Sequence, residues 1–276
     1  MILSCLRQWT FLAILTLVAF SGTNTAVAQP ETVEADVCIY GATPSGILAA
    51  VAVQRAGLSA VIVEPSRWVG GILGSGLKPM QDCPNYAATG GMTRGLLKSL
   101  GQPNWTEDRT ENRRVLAEIS PKTIRGDFEK LLAKYKIRVI FDHRIAGCKP
   151  QDGDKTAIQA ALFDRAPFDE LGTPVVEPAA REALRVAARI FIDASYEGDL
   201  LAKAGVSYRV GRESSEEFGE EFAGVLPPVG LTPVDPFQTP GDPKSGLLRG
   251  VEKDHGKPLG AADDYTQAYN FRYYTT

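Results

Sequence analysis

Apolar and polar residues alternate with two different periods along this chain, and the changes of period mark out its elements. Residues 36–40 (DVCIY) are a short β-branched run bounded by acidic residues and Gly41, the pattern of a strand buried on both faces. From Pro44 to Ala56 the spacing becomes helical, with Ala49, Ala50, Ala52 and Val53 forming a small-residue face suited to lying close on a sheet, and Gly57 supplies the stop. Residues 59–63 (SAVIV) read as a second buried strand. A strand, a helix and a strand within about 30 residues predict a right-handed βαβ unit with parallel pairing.

Farther along, four glycines between Gly70 and Gly76 argue against a regular element and for backbone lying close against something. Residues 91–100 and 122–136 read as helices, the second with Phe128, Leu131, Leu132 and Tyr135 on one face, and Arg138–Asp142 as a short strand. Residues 157–163 and 185–193 alternate as strands placed to form a hairpin around a turn-rich insert containing Pro167, Gly172, Pro174 and Pro178. A helix over Asp199–Ala204 follows. From Gly224 onward proline and glycine dominate, as in loop over a scaffold or the opening of a further domain.

The first 28 residues have the three-part layout of a secretory signal: Arg7, an apolar run from Trp9 to Phe20, and small residues at Ala26-Val27-Ala28. The run falls short of the roughly 20 residues that span a bilayer, so cleavage after Ala28 and export to the periplasm or medium are expected, with no stable membrane anchor. The remainder is ample for one large domain. Lys plus Arg number 30 and Asp plus Glu 33, a balance that offers no field for nucleic acid. Four cysteines, one of them in the leader, make neither a disulfide framework nor a CxxC pattern; Cys38 reads as a buried small hydrophobe, while Cys83 and Cys148 are open to pairing. His143 and His255 lack a third ligand and imply no metal site. Ser45 and Ser195 have no nucleophile elbow, Glu216, Glu217, Glu220 and Glu221 read as a solvated face, and Asn104-Trp105-Thr106 is a glycosylation sequon by spelling only.

The chemistry concentrates at the first strand-to-helix turn, Gly41-Ala42-Thr43-Pro44-Ser45-Gly46. In the fingerprint G-x-G-x-x-G the first glycine permits the tight turn, the second clears space for a pyrophosphate and the third lets helix and strand touch. Thr43 stands at the second position, where its Cβ narrows the approach. It is also a good N-cap, Pro44 a good first helical residue, and the amides that open the helix favour an anion. The Thr43 hydroxyl is a candidate donor to a phosphate oxygen. Glu64 ends the second strand 18 residues after Gly46, where a carboxylate accepts from ribose hydroxyls and disfavours a 2′-phosphate; a solvated strand-end glutamate is the alternative.

The blocks DVCIYGATPSGILAAVAVQRAG, VEPSRWVGGILGSGL, FIDASYEGDLLAKAGVSYRVGRES and FGEEFAGV resemble the FAD-dependent oxidoreductases of the glutathione-reductase-like superfamily, in particular a secreted bacterial branch sometimes labelled xanthan lyase-related. The resemblance runs from about residue 34 to the C-terminus and implies an α/β, Rossmann-like three-layer fold with a central parallel sheet and a small antiparallel β element. It implies FAD as cofactor, with Gly41, Thr43, Pro44, Ser45 and Gly46 at its pyrophosphate and Glu64 at the adenosine ribose. Arg67 with Gly70 and Gly71 is similar to an R-x-G-G element, with Trp68 and Val69 intervening, and Ile145 occupies the place where such proteins lay backbone against adenine. Asp193-Ala194-Ser195 is similar to a D-A-T-G turn near the flavin, with Ser195 for Thr and Tyr196 for Gly; Gly198 and Asp199 follow. A late G-D motif that holds the ribityl chain has only the letters of Gly241-Asp242.

The expected organisation is a signal over residues 1–28, an FAD-binding domain over 29–223 and a Pro/Gly-rich start of a cap region over 224–276. Relatives continue past this last block, so a C-terminally truncated chain is expected. The expected function is oxidation of an organic small molecule by hydride transfer to flavin, with sugar-derived or cell-wall substrates suggested by the family's surroundings and no catalytic base identified. Two alternatives stay open: an NAD-dependent dehydrogenase, which shares the turn and Glu64, and a carbohydrate-associated surface protein in which this half is scaffold.

Overall fold

The structure is a computed structural model and describes residues 29–75, 89–101, 120–227, 235–249, 251 and 256–265. The predicted leader, Gly76, Cys83, the sequon, His255 and the last block of the chain lie outside the described residues.

Strand β1 (Glu31–Tyr40) stands at the centre of a six-stranded sheet. It leads through helix α1 (Pro44–Arg55) to β2 (Ala60–Val63), which pairs with it in parallel from Val37↔Ala60 to Tyr40↔Val63. The other neighbour of β1 is β6 (Ala180–Asp193), again parallel, in register from Glu31↔Leu184 to Tyr40↔Asp193. β3 (Arg138–Ile140) extends the parallel set beyond β2, while β4 (His143–Gln151) and β5 (Asp154–Arg165) continue antiparallel from β6, giving the order β3-β2-β1-β6-β5-β4. This is the expected α/β arrangement, a parallel centre with an antiparallel flank.

The apolar runs of β1 and β2 are explained by burial on both faces. Val37, Ile39, Ala60 and Ile62 pack under α1, α3 (Gly91–Ser99) and α4 (Pro121–Lys134). Cys38, Tyr40, Val61 and Val63 face the opposite way, against Ile145, Ala161 and Phe163 of the antiparallel strands and Val186 of β6. Burial pushes the Cys38 thiol up to about 12, which leaves it an inert core group.

Several boundaries differ from the sequence reading. β1 starts at Glu31, because its polar first half pairs with β6 where one side of the sheet meets solvent. The inward face of α1 is Gly46, Ile47, Ala50 and Val51, and Ala52 is exposed. The helix begins directly beneath the end of β1, so the contact between Gly46 and Gly41 sets its rotation. The glycine-rich stretch folds into a short helix, α2 (Gly71–Ser75), started by Gly70 and Gly71 at positive φ and stacked on α4. β4 was hidden behind Gly147 and Pro150 and is recovered only through its pairing with β5 across register shifts. In α4, Ser120 caps and Pro121 opens the helix, and Phe128, Leu131 and Leu132 are buried as predicted; Tyr135, at its C-cap, accepts a hydrogen bond from Arg55 Nε at 3.0 Å.

Helix α5 (Asp199–Lys203) follows β6, and α6 (Ser215–Phe218) and a 3₁₀ turn (Pro243–Ser245) lie beyond it. No helix among the described residues is long and apolar enough to cross a membrane.

Candidate cofactor-binding site

Three strand ends create the site. The β1/β6 register brings Asp193 level with Tyr40, so the turn after β6 lies beside the turn after β1, although the two are separated by some 150 residues of sequence. Gly41 turns the chain at φ +101°; a Cβ there would stand 3.0 Å from the carbonyl of Ala194 and the amide of Ser195. A Cβ on Gly46 would stand 2.1 Å from the Gly41 carbonyl oxygen. The first and third fingerprint glycines are therefore required by backbone contacts within the protein.

Thr43 explains how a fingerprint lacking its middle glycine closes. Its Oγ accepts from Gly46 N at 3.2 Å, as an N-cap does, and donates to the Ala194 carbonyl at 2.8 Å, with Ser45 Oγ 2.9 Å away. The hydroxyl expected for a phosphate oxygen is thus committed to joining the two turns. Among the described residues, the amides of Thr43 and Ser45 donate to no protein acceptor, whereas Gly41, Ala42 and Gly46 all do. Thr43 is 5% exposed, so its amide is a buried donor at the positive end of a twelve-residue helix.

Glu64 is buried at the end of β2. Its Oε2 accepts from Ala42 N at 2.6 Å, and its Oε1 from Ser66 N at 2.9 Å and Ser66 Oγ at 2.5 Å. A carboxylate has about four acceptor sites, so one remains for a hydroxyl from the crevice. Across the opening, Asp193 organises the second turn: Oδ1 accepts from the amide and hydroxyl of Ser195 at 2.9 and 2.7 Å, and Oδ2 from Leu201 N at 2.9 Å. Ser195 Oγ accepts in turn from Gly198 N, which opens α5 in the left-handed conformation.

These elements enclose a crevice of about 340 Å³, within the range of small-molecule sites. Of the residues expected from sequence, Gly41, Thr43, Glu64, Gly71 and Ser195 line it. Pro44, Ser45, Gly46 and Ala194 do not line it; Ser45 and Ala194 bond to the Thr43 hydroxyl, and Gly46 packs on Gly41. Gly70 packs where a Cβ would meet the Phe128 ring at 2.5 Å, and Gly198 and Asp199 sit at the start of α5. Two residues are not brought in. Arg67 lies over the Trp68 ring at 4.9 Å and donates to the Asp169 carbonyl. Ile145 is buried in the opposite core, where its amide donates to Tyr40 Oη at 3.3 Å. Gly241-Asp242 is also elsewhere, Asp242 capping the 3₁₀ turn.

The reading of the sequence missed Trp68, Phe168 and Tyr196 as parts of this wall. Tyr196 Oη accepts from Ile72 N at 2.8 Å, bridging the two sides, and burial raises its phenol pKa. A Cβ on Gly71 would come 2.4 Å from that oxygen, so the bridge needs glycine there. Asp193 was named within the D-A-S turn, but its role as the acceptor that builds the turn was not drawn, although an Asp two residues before Ser is a common turn builder. Among the described residues no group of three or more His, Cys, Asp or Glu side chains gathers as for a metal ion.

A parallel βαβ sheet with the unpaired Thr43 amide at a helix start, in a crevice at the carboxyl ends of its strands, defines a dinucleotide-binding fold. A family model described as FAD dependent oxidoreductase matches residues 36–276, and the chain belongs to that family. Its cofactor is FAD, and the buried Thr43 amide and the free acceptor site on Glu64 fit that cofactor's diphosphate and ribose.

Among solved structures the chain is similar to THI4 of Thermovibrio ammonificans (17% identity over 62% of this chain and 61% of that one, TM-score 0.40). It is also similar to L-proline dehydrogenase from P. horikoshii (18%, covering 60% and 23%, TM-score 0.32). A third is a geranylgeranyl bacteriochlorophyll reductase-like protein from Thermoplasma acidophilum (15%, covering 64% and 44%, TM-score 0.38). The chain thus spans less than two thirds of the length of each of these proteins. No curated protein matches its sequence significantly.

Proposed function

We propose that the crevice holds FAD extended across the ends of β1, β2 and β6, and that the chain supplies the cofactor-binding part of an exported oxidoreductase that takes a hydride from an organic small molecule. The observation that carries this reading is the buried, unpaired amide of Thr43, with the amide of the exposed Ser45 unpaired beside it. A buried donor without an acceptor costs roughly 1–3 kcal/mol, and a diphosphate oxygen removes that cost while meeting the helix dipole. The Glu64 carboxylate takes a ribose hydroxyl beside it, and its charge opposes a 2′-phosphate. Thr43 and Asp193 hold the two turns in register, so that the backbone at Ser195 faces the far half of the crevice. FAD, when bound, supplies the two-electron redox chemistry, and the protein positions it and excludes water.

In this reading residues 29–223 form the FAD-binding domain and residues 224–276 open a cap region. Export through a leader cleaved after Ala28 is supported by the position of β1, whose first residue, Glu31, lies just beyond that point; N-terminal sequencing of the exported protein checks it. The central test is retention of flavin. Purified chain given FAD and then desalted should keep a yellow flavin absorbance band, and a colourless protein that retains a nicotinamide cofactor or a sugar instead would overturn the reading.

A further inference from the structure

We propose that Phe168, backed by Trp68, is the wall that receives the adenine ring of the bound dinucleotide, which makes the connection between β5 and β6 part of the cofactor site. The inference rests on the FAD reading above and adds residues to it. Contacts run outward from the ribose position in an unbroken series: Glu64 accepts from Ser66, Ser66 Oγ accepts from Trp68 N at 3.2 Å, and Trp68 meets Phe168. Trp68 and Phe168 line the crevice beside Ser66, within reach of a base whose sugar is held at Glu64.

The two rings stand edge to face, 6.4 Å apart at 78°. Whichever ring supplies the edge, at least one face of Phe168 is left uncovered by Trp68. One side of Trp68 is occupied by the Arg67 guanidinium, whose Nη2 donates to the carbonyl of Asp169, the residue after Phe168. Phe168 is half-buried although it sits on a surface connection.

That connection, residues 166–179, is far longer than the roughly two to five residues a hairpin needs, and it is tied down along its length. Asp169 Oδ1 accepts from Thr173 N at 2.7 Å, and Arg144 donates to the carbonyls of Val175 and Val176 at 2.7 Å each. Gly172, at φ +80°, has a Cβ position only 3.0 Å from the Trp68 ring. Such fixing presents the Phe168 ring without an ordering cost at binding.

Stacking a base on one aromatic ring changes affinity by about tenfold or more. FAD, ADP and FMN are titrated separately onto the full chain and its Phe168→Ala and Phe168→Tyr variants. Phe168→Ala should weaken FAD and ADP by about tenfold each and leave FMN within about twofold, while Phe168→Tyr binds all three as the parent does. Equal ADP affinity in parent and Phe168→Ala, or an equal loss of FMN and ADP, would overturn the proposal. A parent chain that binds ADP in a Phe168-dependent way but fails to retain FAD would sink the flavoprotein reading and leave the adenine wall standing.

Discussion

The βαβ unit from Glu31 to Glu64 and the paired segments 211–226 and 256–265 are held together by different physics. In the first, every residue of β2 and the last four of β1 are buried, and their side chains divide between two apolar cores. In the second, Val225 is the one buried hydrophobic among the described residues, while Phe222 is 81% and Leu259 66% exposed. These segments are joined by backbone bonds between Val225, Gly260 and Ala261, and by the Arg212 guanidinium on the Asp263 carboxylate. Apolar burial carries no charge to titrate, whereas an ion pair makes a unit's stability conditional on charge.

The largest expected break in that contrast is Gly46→Ala, whose new methyl would meet the Gly41 carbonyl oxygen at 2.1 Å. Denaturant unfolding should show a loss of about 3 kcal/mol, with the flavin lost as well. Glu64→Ala comes next: it strips the acceptor from Ala42 N and Ser66 N and should cost about 2 kcal/mol together with a marked fall in FAD affinity, Glu64→Gln restoring part of both. Thr43→Ala removes the N-cap and the bridge to Ala194, for about 1 kcal/mol, and Thr43→Ser restores it. Because that hydroxyl points at a carbonyl, FAD affinity should move less in Thr43→Ala than in Glu64→Ala.

The smallest effect sharpens the comparison on the other side. The Arg212 guanidinium holds the Asp263 carboxyl down to about 2, below its ordinary value of 3.8. A depressed folded-state pKa contributes stability that is present above about 4 and is lost as pH falls towards 2. Hydrogen-exchange protection at Arg212, Val225 and Ala261, corrected for the intrinsic pH dependence of exchange, should therefore fall over that window before that of β1 and β2, and Asp263→Asn should show the low protection already at neutral pH. Simultaneous loss of protection in both regions would show that they are one cooperative unit.

Much of the first region was legible because its information is local. The βαβ pattern, the turn at Gly41 to Gly46 and the strand-end Glu64 lie within 34 residues and obey period and capping rules that need no partner. The second turn was legible as letters, D-A-S, and its resemblance to a flavoprotein turn named Ala194 and Ser195, but Asp193 as its builder was not seen. Arg67 does not line the crevice, since spacing in sequence does not give the direction of a side chain, and neither does Ile145, which lies on β4, a strand the sequence reading did not recognise. Trp68 and Phe168 share one wall across about 100 residues, and a single sequence contains no term that joins them.

What the chain's order of residues determined by itself is the short-range part: which runs bury both faces, where α1 starts, and which two glycines permit that start. What only tertiary structure decided is the pairing of β1 with β6. Strand register is a long-range choice made by two cores at once, and it is this register that lays the Asp193 turn against Thr43, whose buried amide is left without a partner at the crevice.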